Sequence, residues 1–323
     1  MNKPIKAVGL LSGGLDSTLA VKLMMDLGVD VKLVNFVTPF CTCTSKGCKH
    51  AATRVAEDLN IPVKIISSGK DYIEMIKNPK HGYGRNMNPC IDCRIFMFKL
   101  AKKYMEDIGA DFIFTGEVLG QRPMSQHKRA MKLIEQESDL ENLVVRPLSA
   151  RLLSPTIPEE KQWIDREKLL SIQGRRRLPQ MELADKLGIK DYPCPAGGCR
   201  LTDPGFASRL KESFEHKEST IKEIQLLKYG RHFRLDSGAK VIVGRNEEEN
   251  KAIQGFFSKN DILMEVTNVG SPIVLLRKSK DEKDIKKAAS YCLRYSDAEE
   301  KDDPEIRINY GNDREELLKF SSI

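Results

Sequence analysis

The stretch "VGLLSGGLDSTLAVKLM", residues 8–24, constrains this chain more than any other. An apolar run is followed at once by a serine–glycine turn, and then by apolar residues at helical spacing. That order puts the N-terminus of a helix at the end of a buried strand. The same alternation recurs: "KAVGLL", "DVKLVNFV", "IPVKII", "ADFIFTG" and "NLVVRPL" read as strands separated by helix-like segments, as far as about residue 148. Strands alternating with helices make a parallel sheet covered by helices on both faces, so the fold class is α/β.

Beyond this point the texture changes. Residues 152–190 read as mostly helical, with "LPQMELADKLGI" supplying apolar spacings of three and four. "DYPCPAGGCRLTDPGF" is a loop rich in proline and glycine, which something other than regular hydrogen bonding must hold. A charged helix is expected over about 205–228. After it, "HFRL" and "AKVIVG" read as a hairpin turning at "DSG", "DILMEV" and "PIVLLR" as strands, and "EEENKAIQGFF" and "EKDIKKAASYCLRY" as helices. The expected organisation is an α/β domain over 1–220, in which 152–215 form a helical, cysteine-bearing extension, and a smaller α+β domain over 230–323. The acidic "DAEEKDDPE" reads as a solvated loop, and there is no internal repeat.

A chain of 323 residues is long enough for two cores. Its 53 Lys plus Arg against 46 Asp plus Glu leave a net charge of +7, which favours an anionic partner such as RNA. No apolar run approaches a membrane span, and the first residues lack the apolar core of a signal peptide, so a cytoplasmic protein is expected. In that reducing compartment the 8 cysteines read as thiols or metal ligands rather than disulfides.

Ser12, Gly13, Gly14, Asp16, Ser17 and Thr18 bring backbone amides, hydroxyls and a helix N-terminus to one point, which suits an anion. The lysine with which a Walker-type loop reaches terminal phosphates is missing. Such a loop fits pyrophosphate as a leaving group better than phosphoryl transfer. The S-G-G-x-D-S pattern resembles the PP-loop of the ATP pyrophosphatases, also described as adenine nucleotide alpha hydrolase-like, whose members adenylate a substrate and release pyrophosphate. The resemblance implies ATP and Mg2+ as cofactors, with Asp16 orienting magnesium or the phosphates; a capping role is the alternative for that residue.

"DFIFTGEVLGQRPMSQ" sets Thr115, Gly116, Glu117 and Gln121 just past a buried strand, at the end where parallel sheets bind ligands. This segment, with "VVRPLS" after it, resembles the T-G-E-x-L-G-Q-x-x-S-Q motif of the tRNA sulfurtransferases that make 4-thiouridine. The basic residues Arg122, His127, Lys128 and Arg129, and again Arg175, Arg176 and Arg177, suit RNA phosphates or simply a solvated face.

Cys90 and Cys93 form a C-x-x-C turn entering a helix, and Cys194 and Cys199 flank a glycine pair. From spacing alone three readings stand open: a structural zinc, an iron–sulfur cluster with one open iron, and a persulfide-bearing redox pair. Cluster-dependent tRNA thiolation enzymes carry C-x-x-C plus one later cysteine. This resemblance implies Cys90, Cys93 and Cys199 as ligands of a 4Fe-4S cluster, with Cys194 a spare ligand, a persulfide carrier or a bystander. Cys41, Cys43 and Cys48, with His50, stay unassigned among a second metal site, a position beside the active site and a plain reduced loop; Cys292 reads as core.

The region from about 230 to 312 resembles the RNA-binding domain of the NFACT proteins, with Gly244, Arg245 and Asn246 matching its G-R-N turn. Read independently, Arg231, His232, Arg234 and Arg245 near a sheet permit RNA. The familiar 4-thiouridine enzymes carry a THUMP domain before the PP-loop and some a rhodanese domain. Neither is evident here, so tRNA binding is expected of the C-terminal domain, and sulfur from the cluster, sulfide or a cysteine desulfurase. The expected activity is ATP-dependent tRNA thiolation giving 4-thiouridine. The rivals are a 2-thiouridine-forming enzyme, an amide-forming PP-loop ligase and a non-catalytic RNA-binding protein. Monomer and homodimer both remain open.

Overall fold

The computed structural model describes residues 4–41, 48–190, 192, 199–299, 303–311 and 314–319, without the side chains at 48 and 49. Two compact units divide the chain, Met1–Ala207 and Ser208–Ile323.

In the first unit, β1 (Lys6–Leu10), β2 (Asp30–Val37), β3 (Val63–Ser67), β4 (Phe112–Thr115) and β5 (Val144–Val145) form a sheet of order β3-β2-β1-β4-β5. All its pairings are parallel. The period of two in the central strands feeds both faces. Ala7, Val31, Leu33, Phe112 and Phe114 pack on one side with Ala20, Val21 and Met24 of α1 (Leu15–Asp26) and Ala52, Val55 and Ala56 of α2 (Cys48–Asp58). Val8, Leu10, Val34 and Ile113 pack on the other with Ile95, Phe98, Ala101 and Met105 of α4 (Cys90–Asp107), which follows α3 (Lys70–Lys77), and with Ile134 of α5 (Lys128–Glu137). Each fully buried Leu, Val or Phe contributes about 1.5–3 kcal/mol. Gly9 lies where a side chain cannot: a Cβ there would stand 2.4 Å from Cζ of Phe114 on the neighbouring strand.

Residues 152–190 are less helical than their pattern suggests. They hold α6 (Ile157–Glu160), a 3-10 turn at Arg166–Lys168 and α7 (Leu178–Lys186), joined by extended chain. Pro155 and Pro158 interrupt the helical spacing. The extended part gains its hydrogen bonds from the end of the sheet, Leu170 N donating to Pro147 O at 2.9 Å and Ile172 N to Leu148 O at 2.8 Å. The expected single helix near 205–228 is two, α8 (Pro204–Glu215) and α9 (Ile221–Leu226). A turn with Lys217 at φ 58 breaks it, and a capping box between Thr220 and Glu223 restarts it.

The second unit is built on an antiparallel sheet of order β11-β10-β8-β9-β7-β6. Its strands are β6 (Arg231–Arg234), β7 (Lys240–Val243), β8 (Ile262–Val266), β9 (Val274–Arg277), β10 (Glu305–Asn309) and β11 (Glu315–Lys319). Ile285, Ala288, Ala289 and Cys292 of α11 (Glu282–Arg294) cover Val241, Val243 and Met264 on one face. Ile242 and Leu275 meet Leu226 of α9 and Ile253 of α10 (Glu247–Gln254) on the other. Cys292 is core, as its pattern predicts. The hairpin of β10 and β11 is an addition to the sequence reading.

Glu218, almost fully buried, ties this unit together. Its carboxylate accepts from both Nη atoms of Arg234 at 2.9 Å and from Lys240 Nζ at 3.0 Å, while Lys278 Nζ stands 2.7 Å away. Burial works to raise its pKa, but the hydrogen bonds from Arg234, Lys278 and Lys240 prevail and hold it well below the usual carboxylate range. A depressed carboxylate gives stability that is complete above its unfolded pKa and lost as pH falls through the folded one. Acid titration of unfolding is therefore expected to show a shallower loss of stability below about pH 5 in Glu218→Gln than in the parent chain. In the first unit, Gly9→Ala is expected to cost about 1–3 kcal/mol in denaturant unfolding, partly restored by Phe114→Leu.

Candidate active site

In an open sheet of this order the strand sequence reverses direction between β1 and β4, and ligands bind in the crevice beyond the carboxyl ends of those two strands. Both sequence-selected segments leave the sheet there: the glycine loop follows β1 and residues 115–121 follow β4.

The loop is pinned at its start by Leu11, whose N–H donates to Val34 O at 2.9 Å and whose carbonyl accepts from Asn35 Nδ2 at 2.7 Å. Gly13 then takes φ 77, and a Cβ there would lie 2.6 Å from the backbone of Ala51 and Ala52. Gly14 caps α1 without any side-chain hydrogen bond. Along that helix the first amide to find a backbone partner is that of Thr18, bonded to Gly14 O at 3.1 Å. The amides of residues 15–17 have no backbone acceptor among the described residues, which leaves donors at the helix start of the kind an anion takes. Ser12 is exposed, with its Oγ 3.1 Å from that of Ser17. The hydroxyls of Ser17 and Thr18 donate to Gly14 O at 2.8 and 3.2 Å, which shapes the turn.

Gly116 lets the second segment touch the first. A Cβ at this position would fall 2.5 Å from the carbonyl of Asp16 and the amide of Ser17. Gln121 crosses the same gap, its Nε2 donating to Asp16 Oδ2 at 2.8 Å, and Gln180 Nε2 of α7 donates to Gln121 Oε1 at 3.2 Å. Asp16 is therefore not the cap of its helix. Its other oxygen, Oδ1, is buried without a hydrogen-bond partner. An orphaned carboxylate oxygen beside an anion site is the hard donor that a magnesium ion takes.

Thr115 and Glu117 turn inward instead. Glu117 is 2 % exposed and lies between two arginines, its Oε2 3.0 Å from Arg146 Nε and its Oε1 3.1 Å from Arg94 Nε. The Arg146 pair has hydrogen-bond geometry; the Arg94 pair is ionic contact only. Thr115 Oγ1 adds a hydrogen bond at 3.3 Å, and Arg146 continues to Glu135. Burial pushes the Glu117 carboxyl up, but Arg94 and Arg146 outweigh it, so its pKa lies below the usual value. Asn35, Arg94, Arg146 and Gln180 were not singled out from the sequence. The signal for Arg146 was a charge inside the apolar run "VVRPL", which demands a buried partner.

Arg94 also leads to the cysteines. Cys90 and Cys93 occupy the first turn of α4, and Cys93 Sγ lies 3.0 Å from the hydroxyl of Tyr72, whose ring meets Phe96 edge-on at 5.2 Å. Burial raises the thiol of Cys93, against the Tyr72 hydrogen bond and the charge of Arg94. Cys199 is pushed up to about 12 by burial, with the charges of Cys93, Cys90 and Cys41 acting in the same direction. Four thiols, including the unassigned Cys41, thus share one neighbourhood. This donor set suits a thiophilic metal or cluster in its chemistry. No three such side chains converge at ligand distance among the described residues. Cys43 and Cys194 lie outside those residues, as does the side chain of Cys48.

The basic residues Arg122, Lys128, Arg129, Arg175 and Arg176 are exposed; His127 also caps α5, its Nδ1 accepting from Ala130 N at 3.2 Å.

Residues 4–151 match the family model described as Thiamine biosynthesis protein (ThiI), and residues 230–322 match that of the NFACT protein RNA binding domain. The chain carries a ThiI domain and an NFACT RNA-binding domain. Among curated proteins it is similar to the tRNA-specific 2-thiouridylase MnmA of Geotalea uraniireducens, 30% identical over 131 residues, which are 36% of this chain and 35% of the relative. The chain thus spans about a third of the length of the curated relatives it first matches. Among solved structures it is similar to a 4-thiouridine synthetase–RNA complex with bound ATP, at TM-score 0.41 and 21% identity over 68% of this chain and 53% of that one. It is also similar to the U34-tRNA thiolase NcsA from Methanococcus maripaludis with its 4Fe-4S cluster, at TM-score 0.34 and 19% identity over 69% and 70%.

Among the described residues no helix is long and apolar enough to cross a membrane. Removing the Glu117 charge would leave half-buried Arg94 without its carboxylate and buried Arg146 with Glu135 alone. Glu117→Gln is expected to cost about 1–3 kcal/mol in urea unfolding of the full chain, the remaining Glu135 contact sparing the larger penalty of an uncompensated buried charge.

Proposed function

We propose that this protein is an ATP-dependent tRNA sulfurtransferase that adenylates a uridine and replaces its carbonyl oxygen with sulfur, giving 4-thiouridine. One observation carries the reading: the glycine loop and the segment after β4 meet at the switch point through Gly116 and the hydrogen bond from Gln121 to Asp16, 2.8 Å long. The ThiI match over residues 4–151 supports it, and the NFACT match supports tRNA as the partner.

ATP would lie across that junction. The amides at the start of α1, with the Ser12 hydroxyl, would receive the pyrophosphate as it leaves, so that its growing charge meets fixed dipoles. Asp16 would hold Mg2+, which would screen the phosphates, and Gln121 with Gln180 would keep that carboxylate oriented. The uridine oxygen attacks the α-phosphorus, pyrophosphate departs, and a sulfide then adds at the ring carbon as AMP leaves with the former oxygen. No lysine is needed in the loop, because no terminal phosphate is transferred. Cys90, Cys93 and Cys199 would hold a 4Fe-4S cluster, which would supply the bound sulfide. Tyr72 orients Cys93 through its hydroxyl, and the Arg94–Glu117 pair fixes the cysteine helix against the nucleotide segment. Sulfide or a cysteine desulfurase would deliver the sulfur.

A second reading, thiolation at carbon 2 of the uridine, is favoured by the 30% identity to a 2-thiouridylase. The two share every step except which carbonyl is presented.

Anaerobically purified protein incubated with unmodified tRNA, Mg-ATP and sulfide is expected to yield a thionucleoside. Digestion and mass spectrometry against 4-thiouridine and 2-thiouridine standards separate the two positions. Cys90→Ala should abolish the product but leave ATP binding intact, and Asp16→Ala should lower AMP formation by roughly a hundred-fold. AMP formed without any thionucleoside, but with dependence on a nitrogen donor, would point to a ligase instead.

A further inference from the structure

In the second unit, four basic residues were expected near the sheet, and three are committed elsewhere. Arg234 is bound by Glu212 and Glu218, and Arg245 by Glu249. His232 is half-buried, and desolvation of its ring pushes its pKa down to about 3. Arg231 is exposed and lies over an aromatic ring instead of a carboxylate: its guanidinium is 4.7 Å from the centroid of Tyr295.

That ring belongs to a row. Phe233, two residues along β6 from Arg231, stacks on Tyr291 of α11 at 4.3 Å and 13°. It is 6.3 Å from Tyr295 at 25°. Arg294 stands 5.6 Å from the Tyr295 ring, and Lys287 Nζ 5.6 Å over that of Tyr291. The three rings are half-exposed and the three cations exposed. None of these cations has a carboxylate partner among the described residues, and neither tyrosine hydroxyl has a hydrogen-bond partner there.

Packing on the core accounts for the inner edges of the rings. It does not account for three like charges gathered along their outer side, where each raises the cost of the next until an anion joins them. A nucleotide matches both halves of this surface, its base stacking on rings or guanidinium planes while its phosphates meet the cations. In a duplex the base faces are already stacked on their neighbours, so an unpaired nucleotide is the fit.

We propose that Phe233, Tyr291 and Tyr295, with Arg231, Lys287 and Arg294, form a platform that takes an unpaired nucleotide of RNA. The proposal rests on the reading of residues 230–322 as an RNA-binding domain and narrows it to one face and to single-stranded RNA.

The test is fluorescence anisotropy with the full chain, without ATP or sulfur donor, using a labelled single-stranded RNA and a duplex of the same sequence across a salt series. Tyr295→Leu and Tyr291→Leu should weaken single-strand binding roughly ten-fold, while Tyr295→Phe keeps it. Arg231→Ala and Arg294→Ala should each reduce the salt slope by about 1, whereas the same charge loss at exposed Lys251 should leave affinity and slope unchanged. Thermal melts check that the leucine variants fold; if one does not, the exposed arginine pair decides. Unchanged affinity in the Arg231→Ala/Arg294→Ala double variant, or equal losses for duplex and single strand, would overturn the platform. Failure of thiolation would leave these binding results standing, so the two readings fall separately.

Discussion

A single buried carboxylate holds the first unit in register. Glu117 receives Arg94 from the cysteine-bearing helix and Arg146 from the chain just after β5, at 3.1 and 3.0 Å. Arg146 is desolvated between this carboxylate and that of Glu135, and such a buried group is stable only while its charges stay in place. The segment after β4 is thereby fixed at its base while its far end, at Gln121, reaches the glycine loop. The cysteines and the crevice at the glycine loop are brought to a fixed spacing by this one bracket, with Tyr72 closing the cysteine side from α3.

The second unit solves the same problem differently. Glu218 gathers Arg234, Lys240 and Lys278, and that clasp binds the chain between α8 and α9 to the first strands of the sheet. By absorbing these cations it also determines which basic residues stay available to a partner. Arg231 and Arg294 remain, with aromatic faces rather than carboxylates beside them.

Much of this was legible in the sequence, because the parallel strands are short apolar runs bounded by clear turns. β2 coincides with "DVKLVNFV", and the turn at Gly238 follows from "DSG". Periodicity failed at 152–190, where extended chain draws its hydrogen bonds from the sheet, a tertiary gain that no local pattern encodes. The C-terminal hairpin was hidden by charge: β11 reads Glu-Glu-Leu-Leu-Lys, an edge strand whose alternation is mostly solvent-facing. In the site, the glycine loop could be located from its residue types. The role of Glu117 could not, since a carboxylate after a strand looks alike whether it faces a ligand or a pair of distant arginines. Asn35 and Gln180 were missed for the same reason, as each acts through a partner far away in the chain.

Two glycines crowd the crevice and a third lies in β1, the strand that leads to it; none has room for a side chain. Gly13 abuts Ala51, Gly116 abuts Asp16, and Gly9 lies under Phe114. The floor of this crevice is thus closed to mutational drift: a new side chain there would push the strands or the helix start apart. Divergence in what such a scaffold modifies has to be written at its rim, in the exposed arginines and in the loops that carry them. Engineering of a new substrate preference should begin at those positions.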